Sequence, residues 1–161
     1  MDFLWSPWRS QYVGSADREK GCVFCRLAEN RGAATDETNY VLYRGQFNFI
    51  VLNLYPYTSG HALIVPFVHL AWLGDADKPV TDEMMDLGKL LQKALGEIYH
   101  PNGYNLGMNL GAAAGAGVAE HFHLHILPRW FGDSNFMTTV GEARMLPETL
   151  ADTYQKLKKY F

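Results

Sequence analysis

Between Ala119 and Trp130 the chain alternates polar and apolar residues. His121, His123 and His125 take every second position, and Phe122, Leu124 and Ile126 lie between them. A period of two is that of an extended strand, whose successive side chains point to opposite faces. The three histidines are therefore expected on one face, with the apolar residues packed behind. Pro128 is expected to end the strand, since it has no N–H for a ladder.

The same reading upstream predicts three strands between Asn39 and Pro66. Tyr40–Tyr43 runs to a turn at Arg44-Gly45, Phe47–Leu52 returns, and His61–Pro66 is a short buried strand beyond a loop at Asn53–Gly60. The period then changes to a helical one. Thr81 is a candidate cap, with Asp82 and Glu83 in the first turn. Met84, Leu87, Leu91, Ala94, Leu95 and Ile98 mark one apolar face, and Pro101-Asn102-Gly103 stops it. A strand at Tyr104–Leu110 leads into the glycine-rich stretch Gly111–Gly117. A last helix is expected over Pro147–Lys159, with Leu150, Tyr154 and Leu157 on one side. The elements amount to an α+β domain: an antiparallel sheet of about five strands with two main helices. No repeat or second domain is visible.

A length of 161 residues suits one compact domain with its own core. The net charge of −3 gives no bulk attraction to nucleic acid or to an anionic membrane. No apolar run reaches the length of a membrane span, and no basic-then-apolar leader opens the chain, so a cytoplasmic location is expected. Two cysteines do not make a disulfide framework. Trp5-Ser6-Pro7-Trp8-Arg9-Ser10 suggests that the first 20 residues dock on the domain or on a second subunit.

Three imidazoles in register admit three readings. They could be the polar face of an edge strand, transition-metal ligands, or a nucleophile that attacks phosphorus with its neighbours. Cys22-Val23-Phe24-Cys25 reads as a redox pair or as half of a metal knuckle. The polar stretch that follows, with Gly32, favours the metal half-site, which needs two further ligands.

His121-x-His123-x-His125, Asn53…Gly60-His61-x-Leu63-x-x-Pro66-x-x-His69 and Asn109-x-Gly111…Gly115-x-Gly117 together resemble the signatures of the histidine triad (HIT) family of nucleotide hydrolases and transferases. The likeness covers about residues 22–130 of a single domain spanning 1–161. The flanks Leu4–Arg9 and Pro128–Met137 resemble the bacterial diadenosine tetraphosphate phosphorylase-like branch. The resemblance implies a HIT-like fold and a homodimer. It also implies cleavage of an adenine nucleotide or dinucleoside polyphosphate, with phosphate or water as acceptor.

It further implies that His123 is the nucleophile, forming a nucleotidyl-histidine, and that His125 donates to a phosphoryl oxygen. Asn53 is implied at the ribose hydroxyls and Asn109 at the phosphate or leaving group. Gly115, Gly117 and Val118 would turn backbone N–H groups toward phosphate, which needs no basic residue. Cys22, Cys25, His69 and His121 would hold a structural zinc, a closed set of two thiolates and two imidazoles. Many family hydrolases carry Ser, Thr or Gln just before the triad. Gly117 and Val118 offer only backbone there, which fits the phosphorylase-like branch. A nucleoside phosphoramidate hydrolase, a nucleotide-binding interaction protein and a metallohydrolase are the rival functions.

Overall fold

Five strands order the molecule. They are β1 (Val41–Arg44), β2 (Asn48–Leu52), β3 (Ala62–Pro66), β4 (Gly103–Gly107) and β5 (Leu124–Arg129). All neighbours are antiparallel, in the spatial order β1-β2-β3-β5-β4. The computed structural model of the protein describes residues 21–141 and 146–161. The aromatic segment expected to dock, residues 1–20, lies outside the described residues.

Helices cover both faces of the sheet. On one, α3 (Lys78–Tyr99) and α5 (Leu150–Leu157) bury Met84, Leu91, Leu95, Tyr154 and Leu157 against Leu42, Ile50, Leu52, Ile64, Phe122, Leu124 and Ile126. On the other, α1 (Val23–Glu29) packs Phe24 and Ala28, one turn apart, on Val41, Phe49, Val51, Leu63 and Val65. Two-sided burial explains why β2 and β3 are buried at every position. Each large apolar side chain so buried contributes roughly 1.5–3 kcal/mol. Shorter helices, α2 (Ala33–Thr38) and α4 (Phe136–Thr139), complete the set. Among the described residues no helix is long and apolar enough to cross a membrane.

Four expectations shift. The long helix begins at Lys78, not at a Thr81 cap, because Pro79 sits in its first turn, where a missing N–H costs nothing. The stretch after Cys25, read only as polar, holds the rest of α1 and all of α2. The histidine strand pairs only from Leu124, because β3 ends at Pro66, which has no N–H, and the Phe122 N–H goes to the Leu70 carbonyl at 2.7 Å. Pro128 does not end β5. It lies within it opposite Tyr104, where β3 has stopped at the Ala62–Ile126 pair and asks nothing of it.

The β1–β2 turn is fixed by one carboxylate. Glu83 on α3 accepts from the N–H groups of Gln46, Phe47 and Asn48 at 2.6–2.7 Å and from Asn48 Nδ2 at 2.9 Å. Burial opposes its ionisation, but these donors outweigh that and hold its pKa below the ordinary 4.5. Glu83→Gln should cost about 1.5–3 kcal/mol in denaturant unfolding at neutral pH. The deficit should shrink as pH falls below 4.5 through the lowered folded value, since only the ionised carboxylate carries it. An unchanged unfolding midpoint would show that the clasp contributes nothing.

Candidate active site and metal centre

His125 lies opposite Leu63 in the β3–β5 register, so its side chain emerges on the face that carries α1. His123 is on the same face: its ring centroid is 4.8 Å from that of His125 and 4.9 Å from that of Phe24. His121, further up, packs edge-on against Phe24 at 5.4 Å. The alternation of Phe122, Leu124 and Ile126 into the opposite core keeps the three imidazoles together. His121 and His123 are buried and His125 is half-buried.

Backbone partners fix the protons. His123 Nδ1 is 3.0 Å from the His121 carbonyl, which can only accept, so Nδ1 carries the proton and Nε2 keeps a lone pair. His121 Nε2 is 2.9 Å from the Pro66 carbonyl, which leaves its lone pair on Nδ1. Sequence reasoning gave no role to His61, which the fold buries and sets beside His125, Nε2 to Nδ1 at 2.9 Å. His61 Nδ1 accepts the Tyr57 N–H at 3.1 Å, so His61 Nε2–H donates to His125 and the proton of His125 sits on Nε2. A histidine entering the strand adjacent to the triad strand was the available signal, but only the register makes it one.

Burial lowers the pKa of all three triad histidines. His125 is pushed down to about 4, first by burial and then by the proximity of His123. At neutral pH the row is uncharged.

Asn53 sits where β2 ends, half-buried beside His61. Its Oδ1 accepts the Tyr55 N–H at 3.0 Å, the bond of a turn asparagine, and its Nδ2 is 3.3 Å from His61 Nδ1. Asn109 lies two residues beyond Gly107, which is directly opposite His125. The loop between β4 and β5 turns at Gly111 (φ +80°) and Gly115 (φ +84°), values that disfavour side chains. Gly115 and Gly117 are exposed, while Val118 packs into the Phe24 cluster and accepts the His121 N–H.

Cys22, Cys25, His69 and His121 converge, with all four candidate ligand atoms within 4.8 Å of one another. Cys22 Sγ is 3.3 Å from His121 Nδ1, and Cys25 Sγ is 3.2 Å from His69 Nδ1. These separations suit the edges of a tetrahedron with ligands at about 2.0–2.3 Å. The lone pair of His121 faces the thiols while its other nitrogen is held by a carbonyl, the usual arrangement of a ligating imidazole. Burial and the neighbouring Cys22 raise the Cys25 thiol to about 11, so a cation would be needed to hold Cys25 as the thiolate. The residues fit zinc.

The HIT domain model matches residues 34–132. The chain is 35% identical over 158 residues to the AP-4-A phosphorylase of Mycobacterium tuberculosis, spanning 96% of this chain and 81% of that one. It is 28% identical over 114 residues to the adenosine 5'-monophosphoramidase of Saccharomyces cerevisiae, 71% of this chain and 66% of that one. A zinc-bound histidine triad family protein from Mycobacterium smegmatis superposes with a TM-score of 0.69 at 27% identity, covering 87% of this chain and 92% of that one. The chain belongs to the HIT domain family, and within it to the AP-4-A phosphorylase-like branch.

Proposed function

We propose that this enzyme cleaves a dinucleoside polyphosphate of the diadenosine tetraphosphate kind through a nucleotidyl group carried on His123. The observation that supports this most is the fixed tautomer of His123, which leaves an unprotonated Nε2 in a buried, uncharged row. Attack forms an Nε2–Pα bond and breaks the bond from Pα to the bridging oxygen. His125 Nε2–H donates toward the phosphoryl oxygens that gain charge. His61 is a positioning residue that holds this tautomer. In the second step an acceptor oxygen attacks Pα, the N–P bond breaks and the imidazole is regenerated. Asn53 and Asn109 would hold ribose and leaving group, and the backbone at Gly115, Gly117 and Val118 would meet phosphate.

Cys22, Cys25, His69 and His121 would hold zinc, which when bound ties α1 to the strand approach and so orients His123. Free thiols in such a site suit a reducing, cytoplasmic setting. β4 is a sheet edge with Leu106 exposed, and pairing of two copies along it would form a homodimer. A monomer in sedimentation equilibrium would contradict that pairing.

The acceptor reading follows the branch and the lack of a side-chain donor at Gly117 and Val118. With diadenosine tetraphosphate and phosphate, adenosine diphosphate and triphosphate should form, the phosphate oxygen having taken the adenylyl group. If monophosphate dominates even in high phosphate, the enzyme is a hydrolase. A second expectation concerns pH. Because burial lowers His123 and His125, protonation should disable the pair only below the ordinary 6.5, His125 itself being pushed down to about 4. The rate should hold as pH falls to 6.5 and decline only below it. An acid limb centred at 6.5 would contradict the buried, neutral pair.

A further inference from the structure

Beyond the triad, β5 continues toward a cavity of about 390 Å³ that the histidines do not line. His125, Leu127 and Arg129 share one face of the strand, and Leu127 and Arg129 lie in the cavity wall. At ~3.4 Å per residue, Leu127 stands about 14 Å along the chain from His123. Tyr57 joins the two places. Its ring lies parallel to that of His125 with centroids 6.3 Å apart, and it also lines the cavity.

The walls are aromatic and polar but electrically balanced. Tyr57, Tyr99 and Trp130 present rings, and those of Tyr99 and Trp130 meet edge to face at 6.4 Å. Both cations of the wall are already paired. Arg129 is held by Asp133 at 2.6 and 2.8 Å, and Lys156 is held by Glu148. Phosphate would find no uncompensated charge here. The wall residues Thr58 and Ser59 also carry buried hydroxyls that have no hydrogen-bond partner among the described residues. A volume within the usual range of ligand pockets, with flat rings and neutral hydrogen-bonding groups, suits a nucleoside better than a phosphate chain.

We infer that this cavity receives the distal nucleoside of the substrate, the one that leaves with the remaining phosphates, while the transferred nucleotide stays at His123. The inference rests on the proposed cleavage. It adds that a polyphosphate bearing a second nucleoside is preferred to one without it.

The test compares diadenosine tetraphosphate with adenosine 5'-tetraphosphate, which has the same phosphates and no distal nucleoside. The wild-type protein should favour the dinucleotide in kcat/KM by tenfold or more, mainly through KM. Ser134→Phe, placed at the exposed rim so that the added ring enters the cavity, should erase most of that advantage, as should Trp130→Ala. Melting temperatures of both variants establish that they fold, and Ser134→Phe removes no core contact. Equal kcat/KM for the two substrates in wild type, or an advantage untouched by Ser134→Phe, overturns the inference while leaving the cleavage reading intact. If wild type cleaves neither compound, the proposed function fails instead. Calorimetric binding of the same two compounds then decides the subsite: tighter dinucleotide binding that Ser134→Phe abolishes supports it, and equal affinity overturns it.

Discussion

Replacing His123 with Gly is expected to lower turnover of diadenosine tetraphosphate by roughly 10⁴-fold or more, the scale of losing a covalent nucleophile. Nucleotide affinity should change little, because the position contributes a lone pair more than a contact surface. The assignment within the row follows from the hydrogen bonds. His121 has its Nε2 tied to the Pro66 carbonyl and turns Nδ1 to the thiols of Cys22 and Cys25, so neither nitrogen is left for phosphorus. His125 Nδ1 accepts a hydrogen bond from His61 Nε2–H, so His125 presents N–H at Nε2, a donor and not a nucleophile. Only His123 combines an anchored Nδ1–H with an unprotonated Nε2. His125→Ala should cost less than His123→Gly, and His121→Ala should act mainly through stability. Steady-state rates of the three variants check the order, and a His123 variant within tenfold of wild type would refute it.

The second large effect is expected from the metal centre. Protein purified without added metal should contain about one zinc per chain, and its removal by a chelator should lower the melting temperature strongly. Structural zinc sites contribute apparent free energies of order 10–16 kcal/mol in small domains, so loss of even a fraction is large against a total stability of about 5–15 kcal/mol. The four residues come from distant parts of the chain: Cys22 at the N-cap of α1 and Cys25 in its first turn, His69 after β3, and His121 before β5. Without the ion, α1 is held on the sheet by Phe24, Ala28 and their apolar neighbours and by the Arg44 guanidinium of β1, which donates to the Leu27 carbonyl at 2.8 Å. Cys22→Ser should reproduce the loss of stability. Metal-free protein that melts as high as the purified form would exclude a structural role.

Much of this was legible in the chain because the informative patterns are local. The period of two at His121–Ile126 and the helical face from Met84 to Leu95 report directly on burial, and the sheet with the two helices on one of its faces is read from such patterns, whereas α1 on the other face is not. Boundaries were less legible where a proline was involved. The cap read at Thr81 gives way to a helix that starts at Lys78 with Pro79 in its first turn, and Pro128 reads as a strand end but sits where β3 no longer pairs. Both depend on what lies opposite, which a linear pattern does not record. The same limit hid His61 and Glu83. Each acts on residues 35 to 64 positions away, on His125 and on the β1–β2 turn. Their function exists only once the sheet register and the seat of α3 are set.

Single-turnover chemistry with a dinucleoside tetraphosphate labelled on its α-phosphorus is the most direct test of the central claim. After a quench in alkaline denaturant within one turnover, the label should be found on the wild-type protein in an acid-labile, base-stable bond, as expected for phosphorus on an imidazole nitrogen. It should map to the peptide containing His123 and be absent from His123→Gly. Label that never joins wild-type protein, or that still joins the His123→Gly variant, would contradict the account.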